Sequence, residues 1–301
     1  MYYLVYGLLY LLSLLPMRAL YIIADGAYLF VYYIMRYRKN IVMKNLAIAF
    51  PEKTIEQRII IAKEFYKNFA DNFIESIKLV SASNSFLTKH FIIDNPELIN
   101  NYYKQGRKCQ LHLGHNFNWE LANITMPYCV DYQFMVVYMP IENEIFNRIF
   151  LKIRSRTGTK LLSAKKLSRE IMQYRNSQYM LTLVADQAPA KISSSYWLYF
   201  FNQPTPFMQT PEKGARIADI PVLFANLYKT KRGFYRARLE VLSDNPARLP
   251  EGELTRRYIY NLEKTLRQHP SMWLWTHRRW KHTWSADNLK LWIDEKEPPQ
   301  G

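Results

Sequence analysis

The sequence contains few of the residues that several common chemistries require. Its 301 residues include only two cysteines, Cys109 and Cys129, so no disulfide framework is indicated and a reducing compartment fits. Only nine glycines occur, and none forms a glycine-rich phosphate loop, which argues against nucleotide-dependent chemistry. The sequence also lacks a Gly-x-Ser-x-Gly elbow and the His-Glu-x-x-His pattern of zinc proteases. We therefore predict neither serine hydrolysis nor a bound cofactor.

Acidic residues are also scarce relative to basic ones. Lysine and arginine total 41 against 25 aspartates and glutamates, which gives a formal net charge of +16. A balance this basic implies an anionic partner, which could be nucleic acid, an anionic membrane surface or a phosphorylated substrate. A nucleic-acid binder would need a basic, aromatic face without a hydrophobic anchor, and residues 2–35 fit that poorly. We therefore expect an anionic membrane surface and no nucleic acid.

The most apolar part of the chain is residues 2–35. No basic residue precedes it and no cleavage site follows it, so it does not fit a secretory signal. Its second half is short for a spanning helix and is interrupted by Asp25. Dense aromatic residues and the following Arg36, Arg38 and Lys39 fit a headgroup layer. We predict a membrane-anchoring helical segment over residues 1–38, spanning once or lying in the interface, with a buried pair of amphipathic core helices as the alternative.

The rest of the chain alternates between strand-like and helix-like segments. This alternation predicts an α/β fold with a central, mostly parallel or mixed β-sheet flanked by helices. No internal repeat or long linker occurs, so residues 39–301 are predicted to form one catalytic domain. The predicted strands cover residues 91–93, 108–113, 133–138, 160–162, 179–185, 221–227 and 235–242.

The stretch from Lys108 to Asn123 is the best candidate for chemistry. It begins as a buried strand and continues as a helix for which Asn116 is the predicted cap. His115 and Glu120 would lie on different faces of one helix, but they can meet across a strand-to-helix bend. A histidine oriented by an acid can remove a proton from a hydroxyl. The alternative is a buried histidine satisfied by backbone, but the end of a strand is where α/β sheets place ligands.

Metal and thiol chemistry are less well supported. His112 and His115 are three residues apart at the end of a strand, so they point to opposite faces and cannot readily share an ion with Glu120. We therefore predict no metal site. Cys109 lies within the predicted strand and is expected to be an inert core thiol.

The segment from Gly114 to Glu120 resembles the Gly-His-Phe-Gly-Asn-Trp-Glu signature of the bacterial lipid A late acyltransferases, which belong to the lysophospholipid acyltransferase superfamily. Segments elsewhere in the chain resemble other motifs of this family, and together they make the resemblance specific. They are Asn45–Pro51, Tyr138–Asn143, the pair Arg154 and Arg156, Asp186-Gln187, and Trp275–Lys281.

Three residues depart from the family pattern. Phe117 stands where the family usually has glycine, Met139 replaces an arginine, and Asn202 replaces another glycine. We expect these changes to crowd the edges of the site while leaving the His115 and Glu120 pair intact.

The resemblance implies a membrane-associated O-acyltransferase with its catalytic domain on the cytoplasmic side of the bacterial inner membrane. It implies that a lipid A precursor, a glycolipid, accepts a fatty acyl chain directly from an acyl thioester, either acyl-acyl carrier protein or acyl-CoA. His115 and Glu120 would be catalytic. The residues expected to bind substrate are Asn118, Trp119, Arg154, Arg156, Asp186, Arg278 and Arg279.

Two alternatives remain open. The same chemistry could act on an amino-acid lipid, a mannosylated lipid or an aryl lipid. The protein could also be a non-enzymatic basic membrane scaffold, although a scaffold needs neither His115 nor Glu120. For the arginines, a solvated basic face or simple membrane adhesion is the alternative to substrate binding.

Overall fold

A seven-stranded β-sheet forms the centre of the protein, whose computed structural model describes residues 1–299. The sheet order is β1-β9-β8-β2-β5-β3-β4, and every neighbouring pair is parallel except β8 and β9. Strands β6 and β7 form a separate antiparallel hairpin. The nine strands are β1 (Phe91–Ile93), β2 (Cys109–Leu113), β3 (Gln133–Tyr138), β4 (Lys160–Ser163), β5 (Tyr179–Val184), β6 (Ser195–Phe200), β7 (Gln203–Met208), β8 (Val222–Lys231) and β9 (Phe234–Ser243).

Helices precede, connect and flank these strands, so the predicted α/β fold with a mostly parallel, mixed sheet is confirmed. Helix α4 begins with a capping box, in which Thr54 and Gln57 exchange hydrogen bonds, as their spacing indicates. The helices are α1 (Tyr2–Ser13), α2 (Met17–Leu29, continuing as a π-helical turn over Phe30–Ile34), α3 (Lys39–Ala49), α4 (Ile55–Lys78), α5 (Asn84–His90), α6 (Glu97–Lys104), α7 (Trp119–Thr125), α8 (Glu144–Ser155), α9 (Leu167–Ile171), α10 (Thr210–Ala218) and α11 (Glu253–Gln268).

The β6–β7 hairpin is a difference from the prediction, which placed a loop over much of this region. Pro204 and Pro206 lie within β7 and cannot donate ladder hydrogen bonds, so the segment does not look like a strand in sequence. Strand β7 pairs with β6 on one side only, and an edge strand of this kind tolerates proline. Its turn residues Phe201 and Asn202 both have positive φ, of 52° and 56°. Asparagine adopts this conformation readily, so Asn202 replaces glycine in a turn without crowding a site.

The N-terminal segment packs along α4 through one face of α2. Leu20, Ala24, Tyr28 and Tyr32, each four residues apart, are buried, which is the spacing of a single helical face. The opposite face of α1 and α2 exposes many large apolar side chains. Residues 17–34 form the one helix of the described chain long and apolar enough to cross a membrane.

The segment that contains residues 272–281 passes over the end of the sheet and contacts α3. The Nδ2 atom of Asn45 donates to the carbonyl oxygens of both Trp275 and His277, at 2.8 Å each. The backbone N–H of Phe117 donates to the carbonyl of Met272 at 2.9 Å. One buried asparagine therefore links an early helix to a late loop that holds the His115 loop in place.

We expect replacement of Asn45 by alanine to lower the free energy of unfolding by about 1–3 kcal/mol, because two carbonyls lose their donor. The matched control is Asn40→Ala, since Asn40 is exposed on the same helix and the change gives the same gain in helix propensity. Chemical unfolding followed by circular dichroism measures both variants. Equal stability of the two variants would contradict the proposed link.

Candidate active site

The register of two parallel strands brings His115 next to Asp186. In the pairing of β2 with β5, Leu113 lies opposite Val184 at the carboxyl ends of the strands. His115 and Asp186 each follow two residues later, so both side chains emerge at the same height over the same edge. This edge is where open α/β sheets bind their ligands.

The buried carboxylate of Asp186 accepts hydrogen bonds from three N–H groups. Its Oδ1 atom lies 2.5 Å from Nδ1 of His115, while its Oδ2 atom accepts from the backbone N–H of His115 at 2.8 Å and from Nε1 of Trp273 at 2.5 Å. Burial alone would raise the pKa of Asp186, but the neighbouring imidazole and these hydrogen bonds lower it to about 2. Asp186 is therefore an anion, and it accepts a hydrogen bond from the N–H group at Nδ1 of His115.

The other nitrogen of His115 is accessible. The His115 side chain is 23% exposed, whereas Asp186 is 1% exposed. With Nδ1 protonated toward Asp186, Nε2 of the neutral ring carries a lone pair and can accept a proton. The side-chain amide nitrogen of Gln187 lies 3.3 Å from this Nε2 atom. The hydrogen bond to Asp186 thus fixes the tautomer in which Nε2 can accept a proton.

Gly114 allows the close approach on which this pairing depends. A Cβ atom at this position would lie 2.6 Å from Cδ1 of Leu262, 2.8 Å from Oδ1 of Asn116 and 3.3 Å from Oδ2 of Asp186. Any larger residue would therefore push against α11 and against the carboxylate itself. Glycine is required here because of space rather than backbone conformation.

Glu120 does not make the hydrogen bond to His115 that we expected. Within residues 1–299 its carboxylate instead binds Arg154, whose Nε atom donates at 2.8 Å and whose Nη2 atom also donates. Burial by itself lowers the pKa of Arg154, but the paired carboxylate of Glu120 more than offsets this, so the pKa is raised. The acid that contacts the imidazole is Asp186, a residue that we had placed among the substrate-binding residues.

Trp119 connects these two pairs. Its ring lies edge-on to His115, with 5.7 Å between centroids, and its Nε1 atom donates to Glu120 at 3.1 Å. The structure therefore brings His115, Trp119, Glu120, Arg154 and Asp186 into one contiguous group, although the partners within it differ from those expected.

The polar groups of two other predicted substrate-binding residues make hydrogen bonds within the protein. Asn118 is fully buried and caps α7 in place of the predicted Asn116, because its Oδ1 atom accepts from the backbone N–H of Leu121 at 3.0 Å. Arg156 donates from Nη1 and Nη2 to the carbonyls of Leu79 and Ala82, which follow the end of α4. The expectation that these groups face a substrate is not met.

The two arginines near the C-terminus differ sharply in environment. Arg278 is exposed. Arg279 is fully buried, donates to the carbonyl of Pro206 at 2.8 Å, and lies 4.0 Å from the ring centroid of Phe207. Burial lowers the pKa of Arg279 to about 9. Its position predicts a structural role, and the expected contact with substrate has no support in this arrangement.

The expectation that Phe117 crowds the site is wrong. Its ring is fully buried and packs between Phe65 of α4 and Trp119, with centroid distances of 5.9 Å and 5.5 Å. The Phe117 side chain therefore packs in the core and contacts the ring of Trp119. Met139 is 62% exposed and is not part of the core.

Sequence reasoning missed Trp273 as the third donor to Asp186. The signal was present, since Trp273 lies two residues before the aromatic and basic motif at residues 275–281, but no pattern linked it to an acid 87 positions earlier. The Cys109 thiol is buried, and burial raises its pKa to about 12, so it is not a thiolate nucleophile. No group of three His, Cys, Asp or Glu side chains within residues 1–299 could hold a metal ion.

Comparison with known proteins identifies a family that matches most of the sequence. The family described as bacterial lipid A biosynthesis acyltransferase matches residues 1–282. The lipid A biosynthesis palmitoleoyltransferase of Escherichia coli (strain K12) is 20% identical over 248 residues, which cover 82% of this chain and 80% of that protein. The lipid A biosynthesis acyltransferase of Shigella flexneri matches with the same identity and coverage.

The lowered pKa of Asp186 predicts a pH-dependent contribution to stability. A value of about 2 against the usual 3.8 corresponds to about 2 kcal/mol, which is present above pH 4 and is lost as the pH falls toward 2. We expect the difference in the free energy of unfolding between wild type and Asp186→Asn to shrink by about that amount over this range. Chemical unfolding at several pH values measures it, and a difference that does not change with pH would contradict the charged state of Asp186.

Proposed function

Because the chain belongs to the bacterial lipid A biosynthesis acyltransferases and is therefore an O-acyltransferase, we propose that His115 is the general base that activates a hydroxyl of the lipid A precursor. The observation that carries this proposal is the hydrogen bond from Nδ1 of His115 to the buried Asp186, which leaves Nε2 of a partly exposed side chain as the proton acceptor. A base in this arrangement has the correct tautomer before substrate arrives.

In the proposed reaction, Nε2 of His115 removes the proton of the acceptor hydroxyl as its oxygen attacks the carbonyl carbon of the acyl thioester. A carbon–oxygen bond forms and the carbon–sulfur bond breaks, so the acyl chain leaves the thiol for the lipid. The imidazolium then returns its proton to the departing thiolate. Asp186 stabilises the imidazolium while it exists, and no acyl-enzyme is formed because Cys109 is buried and protonated.

We assign Glu120 and Arg154 to binding and charge stabilisation rather than to orienting the histidine. Glu120 occupies Nε and Nη2 of Arg154, while Nη1 has no hydrogen-bond partner in the described chain. This remaining edge of the guanidinium is suited to an acceptor phosphate or to the oxyanion of the tetrahedral intermediate. The carboxylate keeps the partly buried arginine both charged and fixed in direction.

We expect His115→Ala and Asp186→Asn each to lower kcat by about 10²–10⁴-fold, because one removes the base and the other removes the acceptor that fixes its tautomer. The double variant should be no slower than His115→Ala, since two groups that act as a unit are not additive. Transfer of a labelled acyl chain from its thioester to purified lipid A precursor measures these rates.

Glu120→Gln serves as the comparison in this series, because Glu120 was the acid expected from sequence. Its effect should multiply with that of His115→Ala, since it weakens a different contact. Near-wild-type turnover by His115→Ala would overturn the mechanism. So would a double variant in which the losses of kcat from His115→Ala and Asp186→Asn multiply in full. Mass spectrometry of lipid A from cells with and without the gene tests the acceptor separately.

We propose that the donor is an acyl chain on an acidic carrier protein. The net charge of +16 favours encounter with an acidic carrier. In the same assay, kcat/KM with the carrier-bound thioester should exceed that with acyl-CoA, and this advantage should fall as salt screens the charges.

We further propose that α1 and α2 bind in the interface of the cytoplasmic face of the inner membrane without crossing it. Both ends of α1 contact polar groups of the catalytic body. At its start, Arg148 lies 4.1 Å from the ring centroid of Tyr2. At its end, Nζ of Lys78 donates to the carbonyls of Ser13 and Leu15, at 2.8 Å and 3.0 Å. A helix tied at both ends to charged side chains supports binding in the plane of the interface.

The apolar face of α1 provides a direct test of membrane binding. We expect the triple change Leu4→Glu, Leu8→Glu and Leu11→Glu to abolish flotation of the protein with anionic phospholipid vesicles, because these side chains are 55–68% exposed. The matched control changes three exposed apolar residues on other elements to glutamate and should still float. These control residues are Ile217, Tyr260 and Leu289.

Protease digestion distinguishes interfacial binding from spanning. A peptide tag added before Met1 should be digested in inverted inner-membrane vesicles and protected in intact spheroplasts. The reverse result would show that α1 places its start on the other side of the membrane and would contradict interfacial binding.

A further inference from the structure

Glu75 is a buried carboxylic acid that the proposed reaction does not use. It lies within α4, is 5% exposed, and has no cationic partner in the described part of the chain. Burial raises the pKa of Glu75, while three neutral donors act in the opposite direction. A buried acid without a cation is costly compared with an apolar residue of the same size. Its presence therefore calls for a role other than stability.

The three donors to Glu75 come from three separate parts of the chain. The Oη atom of Tyr21, on α2, donates to Oε1 at 2.9 Å. The Nδ2 atom of Asn118 donates to Oε2 at 2.8 Å, and Oη of Tyr235, on β9, donates to the same oxygen at 2.8 Å. One carboxyl group thus joins the membrane segment, the start of α7 and the sheet.

The Asn118 contact leads directly into the active site. Because Nδ2 of Asn118 is held by Glu75, its Oδ1 atom must point the other way, toward the backbone N–H of Leu121. This cap defines the first turn of α7, which carries Trp119 and Glu120. Trp119 contacts His115, and Glu120 holds Arg154. The direction of one amide therefore affects both the base and the cation.

The Tyr21 contact leads to the membrane segment. The guanidinium of Arg232 lies 4.2 Å from the ring centroid of Tyr21, and it binds both Asp25 on α2, at 2.7 Å, and Asp71 on α4, at 2.6 Å. Asp71 precedes Glu75 by one helical turn, so the two acids share a face of α4. Correct seating of α2 on α4 therefore determines whether Tyr21 reaches Glu75.

We propose that Glu75 is a positioning residue for acyl transfer, which links the seating of α2 on the protein body to the orientation of Asn118 and hence to the first turn of α7. With Tyr21 bound, Oε1 is fixed and the carboxyl plane directs Oε2 toward Asn118. Without Tyr21, Oε1 loses its donor and only the contacts at Oε2 restrain the carboxyl group, so the cap of α7 is held less firmly. The consequence for turnover rests on the proposed function, whereas the link itself does not.

Two tyrosine variants form a matched pair for the test. Tyr21→Phe and Tyr235→Phe each remove one phenol that donates to Glu75, but only Tyr21 lies on the membrane segment. We expect both to lower the melting temperature by similar amounts. We expect Tyr21→Phe to lower kcat by about 2–10-fold, the effect of one lost hydrogen bond, with KM for the thioester unchanged. Tyr235→Phe should keep kcat within about twofold of wild type, because Tyr21 still fixes Oε1 and Asn118 keeps its own contact with Oε2.

Variants of Glu75 itself complete the series on the full-length protein in phospholipid vesicles. Glu75→Leu should lower kcat by at least about tenfold. Glu75→Gln should recover most of that loss, because its Oε1 can accept from Asn118 while its Nε2 donates to Oη of Tyr21. A merely structural role would make the loss of kcat follow the loss of thermal stability in all four variants, and that result would overturn the proposal.

Hydrogen exchange without substrate separates this proposal from the proposed function. The amide of Leu121 should exchange about tenfold faster in Tyr21→Phe and in Glu75→Leu than in wild type, and at the wild-type rate in Tyr235→Phe. Unchanged exchange in Tyr21→Phe would overturn the link between α2 and α7. If the wild-type protein transferred no acyl chain, the proposed function would fail, yet the exchange rates would still decide the link.

Discussion

The carboxylate of Asp186 is the point on which the arrangement of the active site depends. Asp186 follows β5. It accepts hydrogen bonds from His115, in the loop after β2, and from Trp273, in the segment after α11. Removing a carboxylate from water is costly, and three N–H groups, one of them on the imidazole, offset that cost. The need to supply all three donors fixes the path of the Gly114–Asn118 loop and the position of the segment above it. The hydrogen bonds that position His115 are therefore the same ones that stabilise the local fold.

The active site is built from buried acids that each hold a different partner. Asp186 holds the histidine, Glu120 holds Arg154, and Glu75 holds the amide that caps α7. Each acid is matched to its donors in number and type, so none is left without hydrogen bonds. This division of roles explains how a short stretch of chain can contain a base, a cation and an aromatic side chain without internal competition.

The sequence was sufficient to predict the α/β fold and to select His115 as the candidate base, because strand patterns and the position of a histidine after a strand are local properties. The partner acid was not predictable in the same way. Glu120 is close to His115 in sequence, whereas Asp186 becomes its neighbour only because β2 and β5 pair in parallel with Leu113 opposite Val184. Strand order is a property of the whole fold, and no local pattern encodes it.

Other differences have the same origin. The large side chain of Phe117 suggested crowding, but its direction depends on α4, which lies more than forty residues earlier and provides the aromatic surface on which the ring packs. Arg279 appeared in a basic motif and was expected to bind substrate, yet the β6–β7 hairpin covers it. The sequence did not predict that hairpin, because Pro204 and Pro206 make β7 look unlike a strand. Residue type supplied the candidates, and tertiary packing decided which of these side chains are buried and which are exposed.

The hydrogen bond from Trp273 to Asp186 also has a consequence for the order in which the protein is made. Both His115 donors precede Asp186 in the chain, whereas Trp273 follows it by 87 positions. During synthesis the carboxylate can therefore meet the histidine before its third donor exists. The contact from Trp273 is the last of the three to become available, and it fixes a pair that can already have formed.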